Sequence, residues 1–409
     1  MPILRVLRWR GRPRQVVMQI TNRCNARCAQ CGMRVTAGGE RGDMDPDTAK
    51  RIIDRCAALG VAALSFTGGE PFLTGSTLFD LLDYAGRAGI TYLRTGTNGY
   101  QFGGPDAPGF TDRVRRLAEN LAGTPVRNFW ISLDSADPAT HEANRGHAGM
   151  VEGVAKALPI FHAHGLFPTA NAALNRFMGG PQPLSGEGEA LYRAACAQIG
   201  HFFEKAAALG FTMANCCYPM SDTDREKGAT AVYAATASDA RVTFSNTEKY
   251  ELFRALRDTV PRHRSDLRIF TPLCAVHALV RQYAQPSEPP RPCLGGVSFF
   301  YVDRHGDCFP CGYRAGENMG PFWKLSEEKL GGEPQCRACD WECFRDPSEL
   351  LGPLGDLTTF PSGWLRLLTA DRRQLLLWLK DLRYFAACGQ FDGRREWKKR
   401  KEHARGETL

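Results

Sequence analysis

The sequence predicts an α/β fold: a partial (β/α)6 barrel of the TIM type, followed by a cysteine-rich module and a helical, basic tail. Three observations point there. Between residues 15 and 217, short β-branched or apolar runs alternate with longer helical patterns at intervals of about 30 to 40 residues, the spacing of right-handed βαβ crossovers. Nine of the 15 cysteines fall into two groups, one near residue 24 and one between 293 and 343. From 347 onward the chain turns rich in Leu and Trp, with Arg and Lys interleaved.

The candidate strands are 16–20, 62–66, 91–95, 128–133, 167–173 and 211–215. The helical patterns between them are 46–59, 77–88, 112–121, 138–163 in pieces and 187–209. Residues that act chemically are then expected just after the strands, at the C-terminal rim of the sheet. Past 215 the alternation fades. The stretch 221–245 is polar, helical patterns follow at 247–259 and 272–283, and the Pro-rich stretch 285–292 reads as a linker. The expected division is a barrel at 1–217, a helical connector and linker at 218–290, the cysteine module at 291–346 and the tail at 347–409.

The chain has 409 residues, 43% of them hydrophobic and 23% charged, an ordinary globular composition that excludes wholesale disorder and a membrane bundle. Its longest uncharged run, 157–175, contains two His, two Pro and two Asn and is no spanning helix. The N-terminus lacks the apolar core of a secretion signal, so a cytoplasmic protein is expected. The net charge of +8 is carried by the ends: residues 1–14 hold five Arg and no acid, and residues 389–409 hold seven basic against four acidic residues. The body is neutral, so no nucleic-acid partner is expected. The tail is expected to pack back on the domain, with peripheral contact to a membrane or lipid as the alternative use of its amphipathic pattern.

So many cysteines without a secretion signal read as metal or redox groups rather than disulfides. Cys24, Cys28 and Cys31 follow the first strand, with Thr21, Asn22 and Arg23 before them and Gly32 after, which places them on a loop. Three thiolates make a poor four-ligand zinc site unless a fourth ligand comes from afar. They suit an iron-sulfur cubane with one iron left open.

At these residues the sequence resembles the radical S-adenosylmethionine (SAM) enzymes, whose signature is three cysteines at this spacing after the first barrel strand. Thr67, Gly68, Gly69, Glu70 and Pro71 match that family's Gly-Gly-Glu segment, which touches the methionine amino group. Asn98 and Gly99 after the third strand, Ser132, Leu133 and Asp134 at the end of the fourth, and Arg145 also match family positions. The resemblance implies that Ser132 and Arg145 help hold the SAM ribose or carboxylate. It covers residues 15–217. One residue departs from it: Gln30 stands where the family usually has an aromatic before the third cysteine. The resemblance implies a SAM-binding [4Fe-4S] cluster, SAM itself and an external electron donor such as flavodoxin or ferredoxin. It also implies a 5′-deoxyadenosyl radical that abstracts hydrogen from substrate.

The second group resembles the SPASM or twitch module of auxiliary [4Fe-4S] clusters. Cys293, Gly306 and the segment Asp307, Cys308, Phe309, Pro310, Cys311 resemble its first half, a hairpin, and Cys336, Cys339 and Cys343 its second. Six thiolates suffice for one four-cysteine cluster and fall short of two. The preferred set is Cys293, Cys311, Cys336 and Cys339, with Cys308 and Cys343 as competing ligands and a structural zinc site as the alternative. Cys216 and Cys217, ending the sixth strand, read as buried structural thiols or as an acid, hydrogen donor or cluster neighbour.

The leading functional expectation is a radical SAM enzyme acting on a small molecule, with oxidation, dehydration, epimerisation and carbon-carbon bond formation all open. The second is a peptide or protein maturase, although only about 15 residues precede the first strand, fewer than a leader-binding domain needs. The third is a non-enzymatic iron-sulfur electron carrier, which would leave the Gly-Gly-Glu, Ser132 and Arg145 positions without a purpose. No cobalamin-binding domain is evident.

Overall fold

The structure is a computed structural model that describes residues 13–28, 31, 40–219, 239–284, 291–327, 329–330, 334–337, 340–357, 361–368 and 371–397. Gln30, Gly32, Cys339, the basic residues up to Arg12 and from Lys398 on, most of 221–245 and the residues 285–290 lie outside them.

Six strands follow the expected alternation: β1 (Gln15–Thr21), β2 (Ala63–Gly68), β3 (Tyr92–Thr97), β4 (Val126–Ser132), β5 (Thr169–Ala173) and β6 (Met213–Cys217). Each neighbouring pair is parallel. The helices on the outer face are α1 (Pro46–Leu59), α2 (Ser76–Arg87), α3 (Phe110–Gly123), α4 (Pro138–Arg145), α5 (Met150–Ala163) and α6 (Gly188–Leu209). A strand covered on both faces has no reason to alternate polar and apolar residues, and all seven residues of β1 are buried. Local signals set the helix ends. Asp45 caps α1 by accepting the Thr48 N–H, Pro46 occupies the first turn, and Gly60 closes the helix in the left-handed region.

The sheet does not stop at β6. It has nine strands in the order β7-β6-β5-β4-β3-β2-β1-β8-β9. β7 (Arg268–Ile269) lies between α7 (Asn246–His263) and α8 (Leu273–Ala284) and extends the sheet beyond β6. β8 (Phe299–Val302) runs parallel to β1, and β9 (Cys308–Phe309) returns antiparallel to β8. The hairpin expected of the cysteine module is therefore present, and it is also the far edge of the barrel sheet. The sheet runs from β7 to β9 without closing, which makes the barrel partial.

Three helices follow: α9 (Glu342–Leu357), α10 (Ser362–Leu368) and α11 (Arg372–Ala387). The line drawn at 346/347 from the sequence falls inside α9. Pro347 lacks the N–H that would reach the Cys343 carbonyl one turn earlier. That carbonyl accepts from Gln15 Nε2 on β1 at 3.2 Å instead, so the proline becomes a point of attachment to the sheet.

The tail packs back on the domain. Trp378 is buried and donates to the Leu350 carbonyl at 2.7 Å, and Asp381, wholly buried, pairs with Arg264 at 3.2 Å and accepts the Cys274 N–H. Tyr384 Oη accepts the Ile269 N–H at 2.8 Å, occupying a ladder position beyond the two-residue β7. Past α11 the chain crosses the bottom of the barrel. Gly393 N–H donates to the Arg127 carbonyl and its own carbonyl accepts from Phe167 N–H. Arg394 donates to four carbonyls, those of Leu121, Ala122, Thr124 and Val126. Buried Arg268 holds the same segment through the Asp392 and Arg395 carbonyls. Among the described residues no helix is long and apolar enough to cross a membrane.

Arg394→Ala unties four carbonyls in one step. It should lower unfolding stability by about 2–3 kcal/mol, measured as the shift of the urea midpoint at constant m-value. An unchanged midpoint would mean that the terminal segment is no part of the cooperative fold.

Candidate functional site

The rim loops after β1 and β2 are joined backbone to backbone. Gly69 N–H donates to the Thr21 carbonyl at 3.0 Å and Glu70 N–H to the Arg23 carbonyl at 2.9 Å. A side chain would forbid this approach: a Cβ on Gly68 would stand 2.1 Å from the Thr21 oxygen, and one on Gly69 2.2 Å from the Arg23 oxygen. Arg23 is itself clamped by both carboxylate oxygens of Asp43, at 2.8 and 2.5 Å. The turn that carries the first thiol is thus fixed on two sides.

Cys24, Cys28 and Cys31 all face one cavity at the C-terminal end of the strands. Cys24 Sγ accepts from Ala26 N–H at 3.4 Å and from Asn98 Nδ2 at 3.6 Å, contacts that favour a thiolate. Burial pushes the Cys28 thiol up to about 11, and the nearby Arg145 charge works against that rise. Burial likewise raises Cys24, and the neighbouring thiols add to the rise of Cys24 and Cys28. Thiols that are costly to ionise alone, grouped beside an arginine and open to a cavity, are groups that a bound iron-sulfur cluster would deprotonate. Among the described residues no three His, Cys, Asp or Glu side chains close around a point that would hold a single ion. A cubane takes its thiolates at separate irons, and the residues fit it in that respect.

The other expected SAM-site residues lie on the same rim. Gly68, Gly69, Glu70, Asn98, Ser132 and Arg145 all line the cavity. Glu70 is wholly buried and accepts the Asn98 N–H at 2.6 Å and the Phe72 N–H at 3.2 Å. It therefore ties the second rim loop to the third, and burial pushes its carboxyl up to about 7 against the pull of those donors. Arg145 sits at the end of α4 and gives Asp134 two parallel bonds, at 2.7 and 2.6 Å. Asn144 adds a third at 2.8 Å. Desolvation opposes the Asp134 charge, and Arg145 nonetheless holds that carboxyl below its usual range. Asp134 stood in the expected Ser-Leu-Asp segment, but its service as the counter-ion of Arg145 appears only in the fold.

From the rim the cavity continues into the barrel, with a total volume of about 290 Å³. Its walls mix polar and apolar groups: Ser65, Arg94, Asn128, Asn171 and Asn215 line it, with Trp130, Tyr301 and Trp341 among them. Trp130 has room because its strand neighbour is Gly96, where a Cβ would stand 2.0 Å from the indole nitrogen. Cys217 faces this space and donates to Asn171 Oδ1 at 3.4 Å, while Cys216 is wholly buried in the core. Arg94, Trp130 and the three asparagines were not singled out in the sequence. Their signal was there as polar residues at every second position of strands, read without knowing which face looked inward.

Of the second cysteine group, Cys293, Cys311 and Cys336 come together. Cys293 N–H donates to the Cys336 carbonyl at 2.7 Å, and the two thiols interact electrostatically with each other and with Cys311. Cys293 Sγ accepts the Gly295 N–H and Cys311 Sγ the Tyr313 N–H, each at 3.4 Å. Burial pushes Cys311 up to about 12. Two of the competing ligands lie elsewhere. Cys308 points into the main core near Cys56, and Cys343 lines the barrel cavity beside Glu342. The reason is geometric: β9 places Cys308 on the sheet's helix-covered face, and α9 turns Cys343 inward. Lys249 of α7 pairs with Asp340 at 2.8 Å, and Tyr283 donates to the same carboxylate at 2.6 Å, which ties Asp340 to α7 and α8.

His141 links stability to pH at this site. It is wholly buried, its Nδ1 accepts the Asp134 N–H at 2.9 Å, and burial depresses it to about 4. The unfolded chain binds the proton more readily, so the stabilisation is complete above pH 6.5 and is lost as pH falls toward 4. By pH 5 the loss should be about 2 kcal/mol. Urea melts at pH 7.5 and 5 should show it, with a smaller difference for His141→Gln. Equal differences in the two proteins would remove His141 as the cause.

Comparison with known proteins follows this geometry. The family model described as the Radical SAM superfamily matches residues 18–184. The AdoMet-dependent heme synthase of Methanosarcina barkeri is 24% identical over 347 residues, which are 84% of this chain and 88% of that protein. The PqqA peptide cyclase of Xanthomonas oryzae pv. oryzae is 26% identical over 164 residues, 40% of this chain and 41% of that one. Among solved structures, Streptococcus suis SuiB bound to the precursor peptide SuiA superposes with a TM-score of 0.53 at 15% identity, covering 81% of this chain and 68% of that one. At that identity the likeness is one of fold.

Proposed function

The chain belongs to the radical SAM superfamily, and on that premise we propose that it reductively cleaves SAM and uses the resulting radical to abstract hydrogen from a small molecule held inside the barrel. The observation that carries this reading is the convergence of Cys24, Cys28 and Cys31 with the Gly68–Gly69–Glu70 loop on one cavity. The three thiols would hold a [4Fe-4S] cluster. Gly68, Gly69, Glu70, Asn98, Ser132 and Arg145 would hold SAM. When bound, these groups supply an electron and the 5′-deoxyadenosyl radical.

The protein's own part is orientation and exclusion of water. Glu70 fixes the rim loops to each other through buried N–H donors. Arg145, pinned by Asp134, keeps a positive charge beside Cys28 and Cys31 and a ready partner for a carboxylate. The cavity beneath the rim, lined by both polar and apolar side chains, supports a small-molecule substrate, as does the likeness along most of the chain to a protein named a heme synthase. A peptide substrate is the second reading, favoured by the fold shared with SuiB, whose structure holds a precursor peptide. We also assign one auxiliary [4Fe-4S] cluster to Cys293, Cys311 and Cys336, with Cys339 as the fourth ligand. The N–H donors on the first two thiols support it. Such a cluster would accept an electron from the product radical or anchor the substrate. Flavodoxin or ferredoxin would serve as the external electron donor.

The test is anaerobic reconstitution, iron counting and detection of 5′-deoxyadenosine after addition of SAM and dithionite. Wild type should form 5′-deoxyadenosine. Cys24→Ala/Cys28→Ala/Cys31→Ala should form none and retain about half the iron, as two cubanes of similar size require. Iron bound without any SAM cleavage would refute the assignment of the rim cavity. Loss of all iron in the variant would refute the auxiliary cluster.

A further inference from the structure

One charged group in the barrel has no task in the scheme above. Arg94 is the third residue of β3, and its register partners are Ser65 on β2 and Asn128 on β4. All three project into the cavity. The flanking residues face the other way: Leu93 is wholly buried in the core, and the Thr95 hydroxyl donates to the Phe66 carbonyl. The Arg94 guanidinium is half-buried, with its carbon 5.6 Å from the centre of the Trp130 ring. It makes no ion pair and no hydrogen bond with any described residue. Beside it, the Ser65 hydroxyl is 3% exposed and has no hydrogen-bond partner either.

The Arg94 guanidinium opens on the cavity with no counter-ion from the protein, and the unsatisfied buried hydroxyl beside it carries a desolvation cost. The carboxylates that border the cavity do not relieve it. Glu70 accepts from the backbone of Phe72 and Asn98, and Glu342 accepts the Tyr218 N–H and the Cys343 thiol. The cavity's other arginine is different, because Arg145 is paired with Asp134.

We propose that Arg94, with Ser65 beside it, anchors a carboxylate of the substrate at the inner end of the cavity. Along β3 this point lies four residues from Asn98, about 13 Å below the rim loops. The anchored end is thus held away from the rim and the substrate's reacting carbon is turned toward it. One guanidinium with one hydroxyl suits the planar two-oxygen carboxylate, whereas phosphate sites gather more donors. The assignment rests on the reading of this cavity as the substrate site of a radical SAM enzyme.

The experiment uses reconstituted holoenzyme with SAM and two probes of equal shape, 3-phenylpropionate and 3-phenylpropionamide, titrated by calorimetry. The acid should bind wild type at least about 10-fold more tightly than the amide, the range of a charge-assisted hydrogen bond. Arg94→Gln should abolish the preference, and Arg94→Lys should restore part of it. Equal affinities in wild type, no binding of either probe, or a preference that survives in folded Arg94→Gln would overturn the proposal. Tighter binding of phenyl phosphate than of the acid would overturn the choice of carboxylate. The same wild-type preparation is assayed for 5′-deoxyadenosine. If that product forms without an acid preference, the anchor fails and the radical reading stands. An acid preference without the product has the opposite meaning.

Discussion

The site depends on two backbone hydrogen bonds, from Gly69 N–H to the Thr21 carbonyl and from Glu70 N–H to the Arg23 carbonyl. They hold the loop that carries the three thiols against the loop that precedes the short 3-10 turn Pro71–Thr74, and both glycines are there because a Cβ would collide with the accepting oxygens. Once the two loops touch, Glu70 is forced into the interior. Its charge is then tolerable only because the Phe72 and Asn98 N–H groups surround it. The third loop is thereby recruited, and Asn98 reaches the Cys24 sulfur. A chain of individually modest contacts becomes one rigid rim.

The same economy of polar groups governs the rest of the barrel. Parallel strands leave their N-terminal ends without hairpins, and the segment around Arg394 closes that end: its Asp392 and Arg395 carbonyls accept from Arg268, and Arg394 donates to the Leu121 and Val126 carbonyls. Pro347 would leave a carbonyl unpaired inside α9, and Gln15 of β1 meets it. Each of these residues is a long side chain that carries a donor to a place where secondary structure runs out. The cysteine module is joined to the barrel in this way, through β8, Gln15 and the Lys249–Asp340–Tyr283 cluster, so that it acts as part of the cavity wall. Trp341, Glu342 and Cys343 line the cavity for that reason.

Much of the rim was legible beforehand because its chemistry is local. Cys24, Cys28 and Cys31, the Gly-Gly-Glu run and the Ser132–Asp134 segment each sit at or just after the end of a strand, where the pattern of the barrel puts functional groups. The six strands and their helices were legible from apolar periodicity, with ends displaced by one or two residues. β7 was not, since two residues carry no periodicity. The pairing of β8 with β1 was not, since Phe299–Val302 is apolar on both faces and names no partner. Cys308 and Cys311 stand three apart around a proline, and only the turn of the chain after β9 decides which of them joins Cys293 and Cys336.

By itself the sequence determined the fold class, the family resemblance and the residues of the rim, because these are written in spacing and in residue types with few alternatives. Tertiary structure alone decided which groups share a space. It brought Arg94 of β3, Ser65 of β2, Asn171 of β5 and Cys343 of α9 to one cavity, and it separated Cys308 from the thiols nearest to it in sequence. Contacts between residues tens to hundreds of positions apart depend on how the strands are ordered and which face each presents. Those are properties of the packed sheet that no short stretch of chain encodes.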